Sequence, residues 1–423
     1  MGIKNVLKSI IGAKRLSWIK GIVCHYVCSI RLAAAHKSKL SYDSSVLSVL
    51  AEFTDPRYHI FRGYYDLQYL RGDKFLCHRL PIHAGDDRET KCEIGYYVVG
   101  SQHFHKIAVS SAWCWQQGSR LRWHPQSPSQ ILFNDVTEHG YCTRIMDVDS
   151  GKQIKIIGWP LYDVSSDFKW GVSLNFSRLQ RLRPGYGYSY HSDTSIDEQA
   201  PDDDGLFLVD LEKNTAKMII SLRELADRIE SGHDSTHYLN HVSISPNNKH
   251  FIFFHVYVDA EKKGWGTVLY LYNIVSGETT ILEKTDRVSH YCWIDDTNIM
   301  VTCRKSDLTE YYCIYNIINE RKKILNIAGL HIDGHPNFFR NSGKYVTDTY
   351  PLENSVQSVS IFGLESDKVK LIAQAYHDYR MRGEMRCDLH PSVEEGDDNI
   401  SVDTTYHGKR RSIVVFKRTS EAL

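Results

Sequence analysis

No apolar stretch in this 423-residue chain runs uninterrupted for the length of a membrane-crossing helix. The nearest candidate, residues 18–30, is broken by Lys20 and His25, and it makes no convincing core of a secretion signal either. None of the ten cysteines forms a Cys-x-x-Cys pair, which argues against a structural zinc site of that kind. Cys142, Cys292, Cys303 and Cys313 sit within strand-like runs and read as small buried apolar residues. That usage fits a reducing compartment, and a cytoplasmic location is expected. Neither sign of charge is in excess: 51 lysines and arginines balance 51 aspartates and glutamates. A broad electrostatic surface for nucleic acid is therefore not expected, nor is a nucleic-acid partner. No recognisable nucleotide-sugar domain is present, which disfavours glycosyl transfer.

What the chain does contain is a repeat. Buried strands are expected at residues 74–79, 130–135, 171–176, 250–255, 298–303, 344–349 and 399–404. Most follow a turn-like stretch rich in Gly, Asn or Asp, such as Ser245-Pro246-Asn247-Asn248 or Asn341-Ser342-Gly343. A more exposed partner strand follows each one in step. A recurring all-strand unit of roughly 40–55 residues is the signature of a β-propeller, and seven units close a ring. The expected fold is all-β: a seven-bladed β-propeller over residues 59–418, with the strands just named lining its centre. Residues 1–45 stand apart as a basic amphipathic helical extension, alternating Ile3, Val6, Leu7, Ile10 and Ile11 with Lys4, Lys8, Lys14, Arg15 and Lys20. Such a helix packs on the propeller, or lies through residues 1–35 on the inner face of an anionic membrane.

Three polar clusters exceed what blade packing requires. The first, residues 175–188, gathers Arg178, Arg181 and Arg183 with Tyr186 and Tyr188. Arginine pairs with carboxylate through a two-pronged fork, so the cluster suits a uronic acid; the competing reading is an arginine bracket on backbone carbonyls. The second is a set of histidines beside the strands of the late blades: His237, His241, His255, His290, His331, His335 and His390, accompanied by Asp333, Asp348 and Asp388. Equivalent propeller positions converge on one face, where such residues build a metal or acid–base site. The competing reading is a set of histidine–aspartate staples between blades. The third cluster, residues 113–118, offers Gln116 and Gln117 to the channel, and Tyr64 adds similar chemistry near the start of the repeat. With 26 tyrosines and 21 histidines, the composition also suits grooves that grip sugar rings.

Taken in order, Gly63-Tyr64-Tyr65-Asp66, Trp115-Gln116-Gln117-Gly118, residues 178–188, Asn240-His241, Ser289-His290-Tyr291, Asp333-Gly334-His335-Pro336 and residues 386–391 resemble a bacterial propeller family related to the oligogalacturonate lyases, and more distantly the ulvan lyases. The resemblance spans about residues 59–418. It implies β-elimination on a uronate-containing glycan, with an anionic glycan as partner and a divalent metal, manganese above all, as cofactor. It matches His290 to the catalytic base and His335 and His390 to metal ligands. Asp388 stands where the family has a further histidine, and Met385 near where it has a glutamine. The family's substrate arginine has no counterpart near Gly266. An ulvan-lyase scheme gives proton transfer to His241 and Tyr188 and carboxylate neutralisation to Arg178. The alternative to an enzyme is a propeller that binds glycan or protein during surface-polysaccharide assembly.

Overall fold

In the computed structural model the described residues are 39–83, 90–229, 235–259, 264–352, 354–394 and 396–419. Of the helical extension expected at residues 1–45, only residues 39–45 lie among them, and there Leu40–Tyr42 is a strand rather than helix. Among the described residues no helix is long and apolar enough to cross a membrane.

Strands such as Lys74–Pro81, Asn298–Arg304 and Asn399–Thr404 are buried on both faces along most of their length. Each is the middle of a sheet packed between two neighbours, so near-continuous apolar runs replace strict alternation. Seven such antiparallel sheets follow one another around a ring, forming the seven-bladed β-propeller. The first blade holds Tyr58–Phe61 with Leu70–Arg71, then Lys74–Pro81, Cys92–Val98 and Phe104–Ser110; the second runs Arg122–Trp123, Gln130–Thr137, Gly140–Asp147, Gln153–Ile157. The third is Asp163–Val164, Trp170–Ser173, Gly205–Asp210, Thr215–Ser221, and the fourth Ser235–Ile244, His250–Asp259, Gly264–Asn273, Thr279–Glu283. The fifth is Arg287–Trp293, Asn298–Arg304, Glu310–Asn316, Arg321–Ile324, and the sixth Asn337–Phe339, Lys344–Asp348, Val356–Phe362, Lys370–Tyr376 with Leu40–Tyr42 on its outer edge. The seventh combines Ser392–Val393, Asn399–Thr404 and Ser412–Arg418 with Leu47–Phe53 from the start of the chain.

Two expectations are corrected here. The strands read as lining the centre are second in each blade; shorter strands such as Arg122–Trp123, Asp163–Val164 and Ser392–Val393 lie inside them. The ring also takes in more chain than residues 59–418, because Leu40–Tyr42 and Leu47–Phe53 are edge strands of the last two blades.

Side chains from distant blades meet across the axis. The Tyr65 hydroxyl donates to the Tyr291 carbonyl (2.7 Å) and accepts from its backbone N–H (2.9 Å). Arg120 forks onto Asp66, and the Tyr291 hydroxyl donates to the same carboxylate. The Tyr162 hydroxyl donates to Asn240 Oδ1 and accepts from Gln117 Nε2. On either side of this septum lies a cavity: one of about 430 Å³ and one of about 260 Å³, with no lining residue in common.

Candidate functional site

The smaller cavity has the chemistry. It opens between the fourth and fifth blades, under an insertion from the third, and its walls include His241, His290, Tyr186, Tyr350 and four arginines, Arg183, Arg287, Arg304 and Arg386. The insertion begins with helix α1 (Phe176–Leu182), whose cap Asn175 accepts the Arg178 backbone N–H through its side chain. The chain then doubles back so closely that a Cβ on Gly187 would stand 2.1 Å from the Phe176 carbonyl oxygen. That return carries Arg183 and Tyr186 to the cavity wall.

Four histidine rings and one phenol form a continuous group. His290 and His335 have ring centroids 4.1 Å apart, and His335 and His390 4.2 Å. Tyr64 stacks on His241 at 5.1 Å and sets its edge against His390 at 5.0 Å. His241 and His390 take left-handed backbone conformations (φ +52° and +47°), which bulky L-residues avoid at a cost of order 1–3 kcal/mol.

Aspartates orient two of these rings. Asp333 Oδ1 meets His290 Nδ1 at 3.0 Å, and the carboxylate also accepts from Ser289 and Thr302 hydroxyls. Asp348 Oδ1 meets His335 Nδ1 at 2.8 Å and accepts the His335 backbone N–H, while its Oδ2 accepts that of His390. In both pairs Nδ1–H is the donor, so Nε2 carries the free lone pair. His335 Nε2 and His390 Nε2 are buried without a hydrogen-bond partner. With a carboxylate oxygen of Asp388 they form a group of three ligand atoms within 4.8 Å of one another. Two bare imidazole nitrogens and a carboxylate fit a divalent cation. Asp388 is also gripped by Arg386 through Nε and Nη2.

Burial governs the protonation states. It pushes His290 below the ordinary histidine range, with His335 adding to the effect and Asp333 opposing it. His241 and His390 lie well below that range, first from burial and then from neighbouring imidazoles. His335 goes the other way: burial opposes its charge, but Asp348 outweighs it. Burial also opposes ionisation of Asp388, and Arg386 more than compensates, keeping it a carboxylate. Tyr350, whose hydroxyl lies 3.4 Å from His290 Nε2, is held protonated by burial and by Asp333 and Asp388.

The residues singled out from sequence divide into three groups. His241, His290, His335, His390, Asp388, Tyr64, Tyr186 and Arg183 come together at or beside the cavity. Gln116 and Gln117 are buried ties: Gln116 Nε2 donates to the Glu384 and Arg386 carbonyls, and Gln117 Nε2 to Tyr162 and Asn240. The remaining three stand apart. Arg178 is a buried bracket on the carbonyls of His237, Ser195, Glu198 and Gln199, which corrects its assignment as a carboxylate binder. Arg181 pairs with Asp193. Tyr188 is fully buried, stacked on Phe176 and bonded to Asn134, so its phenol faces no cavity and the proton-transfer role is corrected too. His237 and His255 form a 2.8 Å pair, a staple rather than part of the group. Sequence reasoning passed over Tyr350, Trp265, Arg287 and Arg304, and included Arg386 only as the first residue of the 386–391 motif, without a role. Arg287 and Arg386 lie within four residues of motif histidines or aspartates, which was the available signal.

No protein-family model matches the chain, and no curated protein matches it in sequence. Among solved structures it is similar to an oligogalacturonate lyase in complex with manganese, with a TM-score of 0.63 at 13% identity, covering 90% of this chain and 97% of that one. It is also similar to a chain of a mitotic checkpoint complex, with a TM-score of 0.50 at 9% identity, covering 90% and 93%. At such identities the likeness is one of fold.

Proposed function

We propose that this propeller binds an anionic, uronate-containing glycan in the 260 Å³ cavity and cleaves it by β-elimination. The observation that carries the reading is His290: a neutral imidazole oriented by Asp333, with the lone pair of Nε2 3.4 Å from the hydroxyl of a protonated phenol in an arginine-lined cavity. The proton at C5 of a uronate becomes acidic only when its carboxylate is neutralised. Arg386, held in place by its fork on Asp388 and lying 4.7 Å from the Tyr350 ring, presents positive charge at that end of the cavity. His290 Nε2 takes the C5 proton, and the electron pair left behind forms the C4–C5 double bond. The C4–O bond breaks, and Tyr350 donates its proton to the departing oxygen. His335, His390 and Asp388 would hold a divalent cation, which when bound would supply Lewis-acid chemistry toward a carboxylate. Tyr64 and Tyr65 wall this cluster and keep water from its free nitrogens.

The test is a panel of uronate polymers and oligomers with manganese supplied, read by the near-ultraviolet absorbance of an unsaturated uronate. At least one substrate is expected to give a rise, with His290→Ala slower by about 10²-fold or more and Tyr350→Phe also impaired. Silence across the panel overturns the elimination. A second reading, a propeller that binds the glycan without changing it, is favoured by one feature: the Arg386 fork already neutralises Asp388. Binding without an absorbance change would select it.

A further inference from the structure

Arginines inside proteins usually spend their donors on carboxylates or carbonyls, as Arg62, Arg120 and Arg178 do here. Those on the outer wall of the cavity do so far less: of Arg183, Arg287 and Arg304, only Arg304 has a described carboxylate within ion-pair reach. Arg183 and Arg287 form no ion pair with any described carboxylate, and Arg287 Nε is buried without a hydrogen-bond partner. Arg304 Nε is also buried and unpartnered. Its nearest carboxylate oxygen, on Glu310, is 3.8 Å away, and the other Glu310 oxygen accepts the Asp333 backbone N–H. Burial first, and then repulsion from Arg304 and Arg183, lowers the affinity of Arg287 for its proton, against the pull of Asp333 and Glu310.

What holds two of them is aromatic: the indole of Trp265 for both, and for Arg183 also the Tyr186 ring, 5.1 Å away. Trp265 is 37% exposed at the cavity mouth, with the Arg287 guanidinium carbon 4.1 Å and that of Arg183 5.5 Å from its ring centroid. A cation over an aromatic face is oriented without using its N–H groups, whereas a carboxylate would occupy them. The indole therefore positions the forks and leaves their donors for something else. The acid–base group lies deeper in the same cavity, and its arginine is Arg386, so the outer cluster is surplus to one carboxylate.

We infer that Trp265, Arg183, Arg287 and Arg304 form a second oxyanion subsite, which selects glycans carrying a carboxylate or sulfate on the sugar next to the reacting uronate. The inference rests on the glycan reading of the cavity and names the class of glycan: two acidic groups on adjacent rings.

The full-length protein in manganese buffer is titrated calorimetrically with three disaccharides. These are glucuronosyl-xylose with one carboxylate, digalacturonate with two, and a chondroitin sulfate disaccharide with a carboxylate and a sulfate. The wild type should bind at least one diacidic sugar about tenfold or more tighter than the monoacidic one, and the better of the two identifies the oxyanion. Arg287→Gln and Arg304→Gln should each shrink that ratio, and Trp265→Leu should do so without removing a charge. Equal affinity for one and two acids, or a ratio that survives in all three variants, overturns the subsite. A parallel melting series in sodium sulfate against sodium chloride at matched ionic strength separates the two ideas. If no disaccharide binds but sulfate protects the wild type more than Arg287→Gln, the subsite stands and the glycan reading falls. If sulfate protects both equally and no disaccharide binds, the subsite falls as well.

Discussion

His59 and His78 lie away from the cavity and show what burial does to an imidazole whose nitrogen must accept. Ser119 N–H donates to His78 Nε2 at 3.0 Å, and Arg411 N–H to His59 Nδ1 at 3.2 Å; a protonated ring would lose either bond. Burial accordingly lowers both to about 4. As pH falls through the ordinary histidine range near 6.5, the unfolded chain takes up protons that the folded chain refuses. Stability contributed by these groups is complete above that range and is lost progressively down to about pH 4. The midpoint of urea unfolding should therefore fall steadily between pH 7 and pH 4.5; an unchanged midpoint would contradict the assigned neutral state. At this scale the sequence was a partial guide. The spacing of His290, His335 and His390 marked residues that do meet, because equivalent positions of a ring converge. Arg178 misled because its carbonyl partners come from residues 195–199 and 237, and nothing in composition shows which loops will close on a guanidinium.

The turn that delivers His335 depends on Gly334. A Cβ there would lie 2.0 Å from the Asp348 carbonyl oxygen and 2.8 Å from Thr347 Oγ1, both on the strand Lys344–Asp348 that carries the partner of His335. Gly334→Ala should destabilise the protein by about 2 kcal/mol or more and shift His335 off Asp348. A melting curve together with manganese titration checks both parts; normal stability and normal metal affinity would show that the strand yields. Element by element, the middle strands were legible because burial on both faces gives them long apolar runs. Several innermost strands were not: Leu70–Arg71, Arg122–Trp123, Asp163–Val164 and Ser392–Val393 have two residues each, too few to show any period. The helix α1 insertion was seen as a polar cluster but not as a helix, since seven residues with a lone cap carry little periodic signal.

At the scale of the molecule, the ring is closed by its own beginning. Leu47–Phe53 pairs with Ser412–Arg418, burying Leu47 and Phe53 almost completely, each worth about 1.5–3 kcal/mol. Thr419 N–H donates to the Val46 carbonyl at 2.8 Å, so the two ends of the fold meet. Deleting residues 39–53 should abolish cooperative unfolding. Moving residues 46–53 to follow residue 419 through a tight turn should restore it, because the strand re-enters the same antiparallel register. Failure of the transplanted strand to rescue the melt would mean that the edge on Lys370–Tyr376, filled by Leu40–Tyr42, matters more than this closure. The septum of Tyr65, Tyr291, Asp66, Arg120 and Tyr162 sets the traffic through the ring. It makes the chemical cavity a blind alley rather than a tunnel. Were the proposed glycan cleavage to occur there, a polymer could not thread the propeller and be trimmed in passage: a chain end would back out by the mouth it entered, and one product would have to clear that mouth before the next chain came in.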